Sequence, residues 1–412
     1  MIIYIPFIYF LCVFLYIIRR RGLDISACII GVYMLTALCA IFLHNTNLEY
    51  SQKEVTLIPT IIYCAMITLV TAPFYRFNST AKRKLPLMNP KVFNILSWSL
   101  IIGFIFSALL FKDDIMMRLA MGDQIGELRG GSDLGSIQSS LSGPVRAVSS
   151  LFVTIISMSA VSFVLFFYSI TYLNKKWYFN ALLFLSTMGC MISGIMGIDR
   201  SITFYWIIDF LFIYVMMRPY LSEKTKRISS IMGIFMIGLA GSYLALMTLS
   251  RFGDESLDSL IRYMGQNYIN FCWYWDNYNA PVVNWGFFFP VTSHFLGIDW
   301  GFPVEPVSFG WFVESKVGFF VNSFYTFMGS VMLYLGQWAV IPYCILFYIV
   351  SNKMINKSRI TGVQTFIRIF IFSIVIYNGV ILYVLVDYIR ALGAIIMLCF
   401  CYLLDKKQNT SI

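Results

Sequence analysis

Long apolar runs separated by short polar segments fill most of this chain, at about residues 2–18, 25–43, 55–74, 92–111, 147–172, 178–197, 202–217, 228–249, 330–350, 363–385 and 391–404. Runs near 20 apolar residues match the length of helix that crosses bilayer hydrocarbon. The pattern predicts an all-α, polytopic integral membrane protein with about eleven transmembrane helices, folded as one domain over residues 1–412. Two polar stretches are long enough to do more than connect spans. Residues 112–146 are rich in Gly and Ser and include Leu128-Arg129-Gly130-Gly131-Ser132-Asp133, a composition that restrains the backbone weakly. Residues 250–316, in the carboxyl half, hold Arg251, Arg262, His294, Asp299, Glu305 and Lys316 together with five of the nine tryptophans.

One apolar stretch does not fit the simple pattern. Residues 317–350 carry almost no charge and exceed the length of one span, and Gly318, Asn322, Ser323, Gly329, Gly336, Gln337 and Pro342 interrupt them. This predicts a half-inserted or interfacial helix at 317–329 feeding a full span at 330–350. Backbone breaks at membrane depth are tolerated only where protein or a water-filled cavity satisfies them, so a cavity facing the outer side is expected here.

Charge orients the spans. With Arg19, Arg20 and Arg21 in the cytoplasm, the alternating connections place nineteen basic residues inside against three acids, Asp24, Glu223 and Asp405. The opposite side carries ten basic and sixteen acidic residues; Arg368 and Asp209 lie within runs. This is the asymmetry of the positive-inside rule, and it accounts for the net charge of +10 without a nucleic-acid partner. Both long polar stretches fall on the outer side. No small-residue cleavage site follows the first run, so it reads as a retained helix and not a signal peptide.

Composition agrees. At 59% hydrophobic, 12% charged and a mean hydropathy of +0.76, the chain has about half the charged share of a soluble domain. Eight of the nine cysteines lie in apolar runs, leaving Cys272 alone in the large loop, where no internal disulfide can close. Cys399 and Cys401 sit too close along one run to suggest a metal site, and neither a metal nor a cofactor is expected.

The chemistry therefore rests on a few side chains. Arg200, in Gly197-Ile198-Asp199-Arg200-Ser201, joins two runs with almost no loop, so its guanidinium sits at the rim of the bundle or inside it. It either offers its fixed fork of donors to phosphate oxygens or pairs with Asp199 and snorkels. Arg251 and Arg262 stand eleven residues apart, about three helical turns, and on one continuous helix would share a face. Such a pair suits a pyrophosphate; the alternative is pairing with Asp254, Glu255 and Asp258. Eighteen aromatic residues between Arg251 and Lys316 serve either as platforms for sugar rings or as an interfacial belt. His294, followed by Asp299 and Glu305, has the pKa range of a general base on a hydroxyl, although a lone His is also a common structural hydrogen-bonder. Asp209 and Asn378 are the polar intrusions within runs, and an acid there is a candidate for proton or ion coupling.

Taken together, the many short-looped spans, the outer loop in the carboxyl half, the Gly-Ile-Asp-Arg-Ser turn, Arg251-Phe-Gly, Tyr263-Met-Gly265 with Asn270-Phe271, and Asn322-Ser-Phe-Tyr325-Thr ahead of Leu333-Tyr334-Leu-Gly336 resemble the Wzy-type O-antigen polymerases. The resemblance implies an enzyme of the bacterial inner (cytoplasmic) membrane that polymerises oligosaccharide repeat units on its periplasmic face. Donor and acceptor would both be glycans linked to undecaprenyl pyrophosphate, and the product O-antigen or capsular polysaccharide. It further implies substrate contacts from Arg200, Arg251, Arg262, Asn322 and Tyr325, catalysis by His294 and Glu305, no cofactor, and a partner protein that regulates chain length. A transporter or flippase of the same lipid-linked sugars is the alternative, and an acyltransferase acting on surface sugars a third.

Overall fold

The computed structural model describes residues 1–76, 88–120, 143–173, 175–196, 201–252, 256–278, 325–356, 362–380 and 388–409, with a few isolated positions between. Among them every regular element is helical and no strand occurs. In chain order the main helices are α1 (Ile5–Arg21), α2 (Ile25–Thr46), α3 (Leu48–Ser51), α4 (Leu57–Arg76), α5 (Pro90–Leu110), α6 (Lys112–Ala120), α7 (Gly143–Ile156), α8 (Val161–Tyr168), α9 (Trp177–Leu185), α10 (Gly189–Met196), α11 (Ser201–Met217), α12 (Glu223–Phe252), α13 (Ser256–Asn277), α14 (Thr326–Leu335), α15 (Val340–Asn356), α16 (Val363–Tyr377) and α17 (Tyr388–Asn409).

Eight helical stretches among the described residues are long and apolar enough to cross a membrane, and α7 with the helix Val161–Leu173 forms a ninth bent by 63°. Large apolar side chains stand on their outer surfaces: Ile58, Leu109 and Leu346 are 63%, 69% and 60% exposed. A soluble protein does not leave so much apolar area facing water. This is an all-α, multi-pass membrane protein.

The helices follow the apolar runs, with three differences. The run at 147–172 is one continuous apolar stretch, yet the chain bends at Ser157–Ala160, where turn-type backbone bonds such as Met158 N to Ile155 O replace the α ladder. Gly189 packs into this corner, where a Cβ would lie 2.9 Å from that of Ile156. The run at 391–404 supplies only a shorter apolar helix, Ile389–Tyr402, within α17. The break in the 317–350 stretch falls at Gly336, not between 329 and 330. A helix of ten residues, α14, precedes it, and the spanning helix Gln337–Ile355 follows. Residues 317–324, most of the expected half-inserted helix, lie outside the described residues.

Gly336 adopts φ 97°, ψ 158°, a region that essentially only glycine enters. Gly336→Ala should destabilise the protein by on the order of 1–3 kcal/mol, read as a lower thermal midpoint of the purified protein. A midpoint unchanged from the native chain would show that the break does not depend on this backbone. Thr326, at the other end of α14, takes φ 66°, rare for a β-branched residue, and is fully buried.

Contacts divide the chain into two compact units. Unit 1 comprises Met1–Asn78, Leu257–Lys357 and Ile371–Ala391. Its first helices are set by local chemistry. Asp24 caps α2, its carboxylate accepting from Ala27 N at 2.9 Å and from Ser26 Oγ at 2.6 Å. Arg19, Arg20 and Arg21 occupy the last turn of α1, where cations favour the helix dipole. The core is aromatic: Phe10, Tyr33, Tyr63, Tyr268 and Phe271 meet at ring separations between 4.9 and 6.1 Å. At one end, Arg21 donates to the Tyr75 carbonyl oxygen and stacks on the Tyr75 ring. At the other end, α2 gives way to α3, and α13 crosses.

Unit 2 comprises Ser79–Ser256, Ser358–Phe370 and Leu392–Ile412. Its centre is α8, all eight residues of which are buried. Small polar side chains tie the helices around it: Trp206 Nε1 donates to Thr187 Oγ1 at 3.1 Å, and Ser186 Oγ donates to Ser162 Oγ at 2.9 Å. Asp209 is 6% exposed and Arg368, on α16, is 4% exposed; Asn378, which belongs to unit 1, is 6% exposed.

Candidate functional site

The densest polar arrangement in unit 1 forms where α3 and the residues after it meet α13. Asn47 caps α3, its Oδ1 accepting from Glu49 N at 3.0 Å, so Glu49, Tyr50 and Lys53 are presented by one short turn. α13 is amphipathic, which turns Gln266, Asn267 and Asn270 inward, each buried, while Arg262 stays half-exposed. The helix can come this close because of Gly265. A Cβ there would stand 2.6 Å from the Cys39 carbonyl oxygen and 2.8 Å from Ala40 N on α2. Tyr268 Oη and Thr60 Oγ1, 2.7 Å apart, join α13 to α4.

Within this frame Tyr50 is the floor. Its hydroxyl donates to Gln266 Oε1 at 2.6 Å. Lys53 Nζ lies 4.4 Å from the centre of its ring and the Arg262 guanidinium 5.7 Å from it. Glu49 divides its carboxylate between the two cations, Oε2 at 3.3 Å from Arg262 Nη2 and Oε1 at 3.4 Å from Lys53 Nζ. Lys53 Nζ also donates to Asn270 Oδ1 at 3.1 Å. One turn beyond, Thr56 Oγ1 donates to Asp276 Oδ2 at 2.7 Å.

The electrostatics follow from burial. Loss of water pushes the Tyr50 phenol up to about 12, with Glu49 adding to the rise and Arg262 opposing it. Lys53 is pushed below the usual lysine range, chiefly by burial and further by Arg262, while Glu49 pulls it back. The cluster thus sets two basic side chains against one acidic one. Glu49 and Arg262 are both about half exposed, so their pair contributes roughly 0–1 kcal/mol and is readily exchanged.

Compared with family models, curated proteins and solved structures, the chain matches none. What the site does must be argued from its own residues.

Of the residues expected to contact substrate or to catalyse, two are described in full. Arg262 joins the cluster, where it pairs with Glu49 of α3; of the acids at helical spacing before it, Asp254 and Glu255 lie outside the described residues. Tyr325 is buried at the start of α14, 6.0 Å from the ring of Tyr274 on α13. Arg251 lies at the end of α12 and Arg262 on α13, and residues 253–255, through which the expected single helix carrying both on one face would run, lie outside the described residues. Arg200, His294, Glu305 and Asn322 lie outside the described residues, as do Asp299 and most of the large polar stretch. No group of three or more metal-ligating side chains occurs among the described residues. Glu49, Tyr50, Lys53, Gln266 and Asn270 were not expected. The one signal for them is the Glu49/Lys53 spacing of four, which reads as an ordinary helical pair.

Proposed function

We propose that this protein is a glycosyltransferase of the bacterial inner membrane that polymerises lipid-linked oligosaccharide repeat units on the outer, periplasmic face. The observation that carries the reading is the gathering of Arg262 and Lys53 over Tyr50, at the end of unit 1 away from the Arg19-Arg20-Arg21 turn. The resemblance to O-antigen polymerases supplies the substrate class: donor and acceptor glycans on undecaprenyl pyrophosphate.

Chemically the pieces agree. Transfer breaks the bond between the donor's anomeric carbon and pyrophosphate and forms one to an acceptor hydroxyl. Negative charge builds on the departing pyrophosphate, and cations held in place beforehand stabilise it without reorganising. Arg262 fits that task; the resemblance adds Arg200 and Arg251 as residues that contact the substrate. The acceptor hydroxyl loses its proton as the bond forms, a role for His294 or Glu305. The carrier's lipid tail stays in the bilayer throughout, which a multi-pass helical protein permits.

Removing the gene and separating the envelope glycan on a gel tests this. A polymerase predicts loss of the ladder with single repeat units still attached to the lipid core. Buried Asp209 and Arg368 favour the rival flippase, since charge deep within spans marks transport paths; a flippase predicts loss of every repeat from the outer face. An unchanged ladder would overturn both.

A further inference from the structure

Glu49 sits where a ligand of the two cations would sit. Its carboxylate is the group that Lys53 and Arg262 share, and it is more than half exposed, whereas Lys53 is tucked in at 20%. Lys53 does not depend on it for its position. Lys53 is held by Asn270 and by the Tyr50 ring, and that ring is held by Gln266. Both amides belong to α13, which Gly265 seats directly against the α2 backbone. The floor is thus built, and its occupant is a half-exposed side chain on a short turn.

We propose that Lys53, Arg262 and Tyr50 form an oxyanion seat for a phosphate or diphosphate group, and that Glu49 is its internal occupant, displaced when the ligand arrives. A carboxylate at 3.3 and 3.4 Å from two nitrogens makes two long single contacts. A diphosphate offers more oxygens and more charge to the same donors, and Arg is suited to paired contacts with it. Glu49 then sets a threshold: monovalent anions of bulk solution do not displace it, and a multivalent one does. Swung away, it faces the incoming group with like charge, which weakens binding and speeds release. This deepens the reading of Arg262 given above, and rests on it only for the origin of the ligand.

The test uses the full chain in phosphatidylcholine nanodiscs, titrated calorimetrically with inorganic pyrophosphate and, separately, after farnesyl diphosphate is doped into the lipid. Glu49→Gln keeps the shape and removes the charge, and binding should tighten about tenfold in low salt. Glu49→Asp, too short to bridge both cations, should tighten it less and serves if the first variant misfolds. Adding Lys53→Met to Glu49→Gln should reverse the gain, at an unchanged thermal midpoint. Tightening toward both probes assigns the seat to free and lipid-borne diphosphate alike; tightening toward farnesyl diphosphate alone assigns it to a lipid headgroup. If Glu49→Gln binds both probes no better than the native chain, the seat does not exist. A glycan ladder that survives gene removal would overturn the polymerase reading and leave the seat standing.

Discussion

Gly265→Ala is expected to lower both the abundance of the protein and its thermal midpoint, and Gly265→Leu to prevent its accumulation. The added Cβ would meet the Cys39 carbonyl oxygen at 2.6 Å, the Cys39 carbonyl carbon at 2.7 Å and Ala40 N at 2.8 Å. These are backbone atoms inside α2, which cannot turn aside as a side chain would. Relief requires the two helices to separate, which strains Tyr268–Thr60, Tyr50–Gln266 and Lys53–Asn270 together. Overpacking typically costs about 1–3 kcal/mol, and a contact that forces backbone apart belongs at the top of that range or above. Gly238→Ala is the control: it sits on α12 with nothing within 4 Å of the new methyl group, and should be neutral. Membrane abundance by immunoblot and melting in detergent provide the comparison. Equal behaviour of the two variants would mean that α13 does not cross α2 at Gly265.

Arg200→Ala and Arg251→Ala are expected to abolish full-length glycan while leaving normal amounts of protein. If each guanidinium holds the departing pyrophosphate, its removal should slow transfer on the order of 100-fold, as loss of one preorganised donor does elsewhere. Lysine at either position keeps the charge and loses the fork, so partial recovery is expected. His294→Gln should shorten the chains if the imidazole acts on the acceptor hydroxyl. The readout is the distribution of chain lengths on a gel, normalised to protein abundance. Full-length glycan from both alanine variants would remove the pyrophosphate-holding role from these arginines.

Most of the helical plan was legible because bilayer hydrocarbon imposes a length, and length survives in a sequence as an uninterrupted apolar run. Where the chain breaks inside such a run was not. Gly329 and Gly336 look alike in sequence, yet Gly329 lies within α14, where an added Cβ would stand 2.8 Å from the Tyr325 side chain, while Gly336 turns the chain through a positive φ. One glycine serves packing and the other conformation. The bend at Ser157–Ala160 has no proline or glycine of its own; its companion, Gly189, arrives from another helix. For the site, amphipathicity and the arginines drew attention to the region of α13, but the other half of the cluster hides in a connection. Glu49 and Lys53 are an unremarkable pair until Arg262, 213 residues along the chain, comes to share the carboxylate.

The discontinuity of unit 1 bears on how the protein is made. Its first helices leave the ribosome as residues 1–78, but the helix that completes their aromatic core begins at residue 256. In the interval, Thr60 and Tyr63 present hydroxyls to whatever surrounds α4, and the Cys39–Ala40 backbone of α2 lacks its neighbour. The nascent chain must therefore hold an unfinished bundle in the bilayer while residues 79–256 are synthesised. Synthesis halted anywhere before α13 would leave those four helices as an orphan, with its polar groove open to lipid and to quality-control proteases.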